Sequence, residues 1–115
     1  MPDHPEAAAG LDQAELDRQY NNREHVANSA ELMDAYKRRG DAYAKTAAKV
    51  TNIAFGPSPA EVLDIYPATS GKAPVLIYLH GGYWYSRHKD DFRFIAGGFQ
   101  PQGAMTVVVN YALIP

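Results

Sequence analysis

The 115 residues contain no cysteine, which removes disulfides, thiolate metal sites and a cysteine nucleophile. There is also no excess of either charge: Lys+Arg 11 stand against Asp+Glu 13, a formal net charge of -2. Without a basic stripe to neutralise phosphates, nucleic acid is not an expected partner. No apolar run approaches the ~20 residues of a membrane-spanning helix, so no membrane partner is expected either. Residues 1–10 lack the positive start and long apolar core of a signal peptide, which makes the cytoplasm the expected location. No cofactor is expected. No metal is expected, because His80, His88 and the pair Asp90-Asp91 match no familiar ligand spacing.

What is present is a 46% hydrophobic content, sufficient for one modest core. Residues 1–10 read as a flexible tail. Asp12 followed by Glu15 resembles a capping box opening a short helix with Leu16 and Tyr20 on one face, and Asn28 with Glu31 repeats the signature. Leu32, Tyr36, Tyr43, Ala47 and Val50 then recur at roughly helical spacing. Residues 1–49 are therefore expected to be a tail and helical preface. Beyond them the period changes. Val50–Phe55 and Val62–Tyr66 read as paired strands around the Gly56-Pro57-Ser58-Pro59 turn. Val75–Leu79 is continuously apolar, like a central parallel strand covered on both faces. Lys89–Gln100 reads as a helix closed by Pro101 and Gly103, and Thr106–Tyr111 as a second buried strand. Strand, crossover helix and strand make residues 50–115 an α/β unit.

His80-Gly81-Gly82-Tyr83-Trp84 follows directly on the Val75–Leu79 strand, at the carboxyl end where open α/β sheets keep their ligand sites. Two glycines let the backbone turn sharply and aim peptide N–H groups at a developing oxyanion. Read only as structure, the same residues are a strand-to-helix turn, with Tyr83, Trp84 and Tyr85 as packing residues. Read as function, the three aromatic residues are walls of a substrate pocket. Arg87, Lys89 and Arg93 form a small positive group nearby, either plain surface charge or an attraction for an acidic substrate.

At this loop the sequence resembles the α/β-hydrolase superfamily, whose lipases and esterases carry an HGGG-type oxyanion loop after the third strand. More narrowly, it resembles the arylformamidase (kynurenine formamidase) group and its esterase relatives, where the loop reads HGGYW. Other matching pieces are Tyr20-Asn21-Asn22-Arg23, Gly56-Pro57-Ser58-Pro59, Leu63-Asp64-Ile65-Tyr66-Pro67 and Lys89-Asp90-Asp91-Phe92. Asn110-Tyr111-Ala112-Leu113-Ile114-Pro115 departs from the pattern, since relatives often have a charged residue after the tyrosine.

The resemblance implies the N-terminal part of an α/β-hydrolase fold, a mostly parallel sheet with flanking helices, preceded by a short helical segment. It makes the N–H groups of Gly82 and Tyr83 the oxyanion donors, with Gly81 and His80 as loop organisers and Tyr83, Trp84 and Tyr85 as substrate-binding residues. His80 is not the base, which in this superfamily comes late in the chain. None of the four serines (Ser29, Ser58, Ser70, Ser86) has the G-x-S-x-G setting of a nucleophile elbow. The implied activity is that of a serine esterase or arylformamidase acting on small aryl formamides or carboxylic esters. Its nucleophile, acid and histidine are expected beyond Pro115 or on a separate chain, so the remainder of the hydrolase domain, in cis or in trans, is the expected partner. In the superfamily order the Val75–Leu79 strand lies between Thr106–Tyr111 and a fifth strand, so these residues alone leave one of its sides open. The preface tyrosines suggest a homo-oligomer contact. The competing reading is a noncatalytic, hydrolase-like interaction module that keeps the loop to contact a partner.

Overall fold

The computed structural model describes residues 10–115, so the expected tail at 1–10 lies almost wholly outside the described residues. Compactness divides the chain between Leu32 and Met33.

In the first unit, helix α1 runs Gln13–Tyr20 and is opened by Asp12, whose carboxylate accepts the Glu15 N–H at 2.8 Å. Glu15 closes back on the same helix, receiving Arg18 through an exposed ion pair. That contact and Gln19 hold its carboxyl down to about 2. A one-turn helix, α2 (Asn22–His25), follows under an Asn21 cap and was not foreseen in the sequence.

The long helix α3, Ser29–Thr46, begins in the first unit and continues into the second, which holds the sheet. Strands β1 (Val50–Ala54), β2 (Val62–Tyr66), β3 (Val75–Leu79) and β4 (Met105–Val109) form one sheet in the order β1-β2-β4-β3. β1 with β2 and β2 with β4 run antiparallel, and β3 with β4 runs parallel, so the sheet is mixed. The expected continuous helix after the loop is instead a 3-10 turn (Lys89–Phe92), the short helix α4 (Phe94–Phe99) and a second 3-10 turn (Gln100–Gln102). Pro101 accounts for the end of α4 at Phe99, because it cannot continue the helix, whereas the break after Phe92 lies upstream of it and of Gly97-Gly98.

Strand parity sorts the sheet residues between two faces. Asp64 and Tyr66 of β2 register with Val108 and Thr106 of β4, which register with Tyr78 and Leu76 of β3. This face is covered. Tyr66, Val108 and Ala96 of α4 form the core, with Tyr43, Ala47, Tyr78 and Phe92 packed against it. Gly40 lets α3 press closely on the segment before α4, since a Cβ there would sit 2.7 Å from the Phe94 nitrogen. Tyr36 stacks on Phe94 at 4.9 Å, and Tyr43 donates to Gln100 at 2.5 Å.

The other face carries Val75, Ile77 and Leu79, which are 57%, 63% and 65% exposed. One face of β3 is thus uncovered, and β3 also ends the strand order, so among the described residues it is an edge strand and not a central strand covered on both faces. A continuous apolar run has no parity of its own to report. Which half of it is covered depends on the register with β4 and on where α3 and α4 pack.

Candidate active site

His80 leaves the end of β3 and is buried. Its ring lies between Phe92, at 5.6 Å and 6° between planes, and Tyr111, at 4.2 Å and 12°. Its Nδ1 lies 2.8 Å from the Gly81 carbonyl; a carbonyl only accepts, so Nδ1 carries the proton. Nε2 is buried and meets no hydrogen-bond partner among the described residues. Tyr111 also donates its hydroxyl to the His80 carbonyl, so ring and backbone are fixed together.

The chain then turns through a run of positive φ: Gly82 at 130°, Tyr83 at 54° and Trp84 at 59°, with Arg87 at 80° beyond. For residues with a Cβ such angles cost roughly 1–2 kcal/mol each, and they concentrate where function constrains the backbone. Glycine is required at 82, where a Cβ would collide with the Ser86 carbonyl, whereas a Cβ on Gly81 would meet open space. The sharp turn thus belongs to Gly82 more than to Gly81. The Gly82 carbonyl receives the N–H groups of Tyr85 and Ser86, both at 3.2 Å, and the Ser86 hydroxyl at 3.1 Å. Trp84 in turn accepts the Ile114 N–H at 2.7 Å.

Among the described residues, the N–H groups of Gly82 and Tyr83 donate to no backbone carbonyl. Free donors just beyond a strand end are what an incoming anionic oxygen requires. The side chains of Tyr83, Trp84 and Tyr85 are all exposed, with the Tyr83 and Tyr85 rings 6.4 Å apart. They offer an aromatic surface beside the donors. Among the described residues, no group of three or more His, Cys, Asp or Glu is placed to hold a metal ion.

No family model matches the chain. Over 66 residues, 56% of this chain, it is 36% identical to the kynurenine formamidase of Danio rerio. Over a stretch of the same length it is 38% identical to that of Salmo salar. It spans only 22% of the length of each of these curated relatives. Among solved structures, a Silicibacter protein provisionally assigned as a thioesterase superposes with a TM-score of 0.80 at 20% identity, over 88% of this chain and 39% of that one. Esterase B of Lactobacillus rhamnosis superposes with a TM-score of 0.53 at 20% identity, over 78% of this chain and 34% of the esterase. The fold is that of the N-terminal part of an α/β-hydrolase. In this α/β-hydrolase framework β3 is the strand that delivers the loop. Among the described residues no helix is long and apolar enough to cross a membrane.

Several residues that frame the loop escaped the sequence reading. Lys89 is buried, not surface charge: its Nζ lies 3.0 Å from each carboxylate oxygen of the buried Asp64. Arg93 is likewise engaged, with Asp41 at 2.9 Å and Asp90 at 3.0 Å. Burial opposes the Arg93 charge, but these two carboxylates keep its pKa above the ordinary value. Burial would raise Asp90, yet Lys89 and Arg93 hold it below the usual carboxylate range. Of the expected positive group, only Arg87 has no carboxylate partner among the described residues. Asp64 was discoverable as the one charge at an inward parity in Leu63-Asp64-Ile65-Tyr66. Nothing in the sequence paired it with Lys89, because the two meet only through the fold.

Proposed function

We propose that this chain supplies the oxyanion loop of a serine-dependent esterase or arylformamidase acting on small aryl formamides or carboxylic esters. The carrying observation is the strained Gly82-Tyr83 turn at the end of β3, which leaves two adjacent N–H groups free. A tetrahedral oxyanion accepts from both, while Tyr83, Trp84 and Tyr85 contact the aryl or acyl group. His80 and Gly81 shape the loop. The kynurenine formamidase relatives favour the formamide, and the esterase neighbours an ester. The nucleophile, acid and base come from polypeptide outside these residues, in cis or as a separate chain. That polypeptide pairs with the free side of β3 and covers Val75, Ile77 and Leu79. The protein acts in the cytoplasm.

Proline cannot be used to delete the Tyr83 donor, because its φ near -65° is incompatible with 54° at this position. Replacing residue 83 by the α-hydroxy acid analogue of tyrosine removes only the N–H and leaves φ free. In the complete enzyme this backbone ester should lower kcat by about a hundred- to a thousand-fold. Tyr83→Phe, which keeps the donor, should largely spare kcat. Labelling by an alkyl phosphonate, the class of ligand seen in an Esterase B crystal, shows that the nucleophile survives. Undiminished hydrolysis by the labelled ester variant would place the donors elsewhere. Absence of any phosphonate-reactive serine in the complete protein would favour the noncatalytic interaction module.

A further inference from the structure

The strained loop is closed at one end by the ring stack on His80, and its other end is held by different chemistry. Lys89 lies two positions after Arg87, the last residue of positive φ. Its backbone N–H donates to the Asn110 side-chain carbonyl at 3.1 Å, at the end of β4. Its ammonium reaches across to both oxygens of Asp64 on β2 at 3.0 Å, and to Asp90 at 2.9 Å. Both partners are themselves fixed. Asp64 accepts the Asn52 N–H at 2.9 Å, and Asn110 donates its amide to Ala60 at 3.1 Å and its backbone N–H to Val62 at 2.9 Å.

A buried ammonium is tolerated only where carboxylates satisfy it, so Nζ has one acceptable location. An apolar side chain of the same length would be indifferent to sliding by an ångström. The loop's own bonds cannot supply that precision, since three of them converge on the single Gly82 carbonyl. Strained backbone persists only where its surroundings over-determine it.

We infer that Lys89, through Asp64 and Asn110, is a positioning residue that clamps the loop in the conformation leaving the Gly82 and Tyr83 N–H groups free. What those groups stabilise rests on the proposed function; the clamp itself concerns loop geometry and has its own readout.

The test is amide exchange followed by NMR on the full chain carrying Lys89→Met together with Asp64→Asn. This double variant leaves no orphaned charge, and the new amide still accepts from Asn52. The reporters are the N–H groups of Tyr85, Ser86 and Ile114, which are bonded to the loop carbonyls of Gly82 and Trp84. Their exchange should accelerate by about tenfold or more, while the β2–β4 ladder changes by less than about twofold. Asn110→Ala, which leaves the ion pair intact, should give the same local signature at smaller amplitude and serves if the double variant does not fold. Lys89→Arg, which keeps the charge, should recover part of the protection. Unchanged reporters, or equal acceleration throughout the sheet, would overturn the clamp. In the complete enzyme the double variant should also lower kcat about tenfold or more with KM within about threefold. Loosened reporters with undiminished kcat would uphold the clamp and sink the oxyanion assignment instead.

Discussion

Strand β3 is built from the same kinds of residue as its neighbour β4 and meets a different fate from it. On one face of the sheet, Tyr66 and Val108 are fully buried under α3 and α4. On the other, Val107 of β4 is buried between β2 and β3, whereas Ile77, its partner on the edge strand β3, is exposed. The contrast shows that hydrophobicity sets which residues gain from burial, while flanking strands and covering elements decide which obtain it. It also separates two kinds of information: the covered face holds this part of the fold together, and the exposed side of β3, with its open edge, leaves apolar surface and backbone groups unpartnered among the described residues.

The largest expected effect lies on the covered face. Tyr66→Ala should destabilise the sheet unit by about 3–5 kcal/mol, as large core aromatics do when truncated, measured by urea unfolding. Ile77→Ala should cost less than about 1 kcal/mol in the same assay. Equal losses at the two positions would mean that the bare face is covered in solution.

A smaller effect on stability, with a larger one on association, is expected from Ile77→Lys. An added charge on an exposed apolar strand should disperse self-associated chain while shifting unfolding by no more than about 0.5 kcal/mol. Sedimentation velocity distinguishes the outcomes. Association unchanged by the lysine would show that this face is not the sticky one.

The smallest change sharpens the core side. Burial, with Asp64 nearby, pushes the Tyr66 phenol up to about 12, and its hydroxyl meets no partner among the described residues. Because the folded pKa lies above the unfolded value near 10, stability is intact below pH 10 and is lost as pH rises toward 12. Tyr66→Phe should leave neutral-pH stability nearly unchanged or slightly higher and shift alkaline unfolding upward. An unaltered alkaline limb would assign that transition to other groups.

Much of the framework was legible in the residues: the four strands, the Asp12 cap and the loop at a strand's carboxyl end all follow from local patterns. Three features were not. The expected helix after the loop broke into two 3-10 turns and a short α-helix. Lys89 and Arg93 looked like surface charges, and Asn110-Tyr111 looked like a mere departure from a family pattern. Charge and sequence position carry no information about partners that arrive from distant elements.

By itself, the sequence determined the local conformations: a glycine turn directly after β3, the extent of each strand and the apolar stock of the core. These depend on each residue and its near neighbours, through sterics and parity. The tertiary structure alone decided which parity of β3 is covered, that Asp64 and Lys89 share a buried ion pair, and that His80 is stacked between Phe92 and Tyr111. Those outcomes depend on which elements fold against one another, because burial and desolvation are properties of the surroundings.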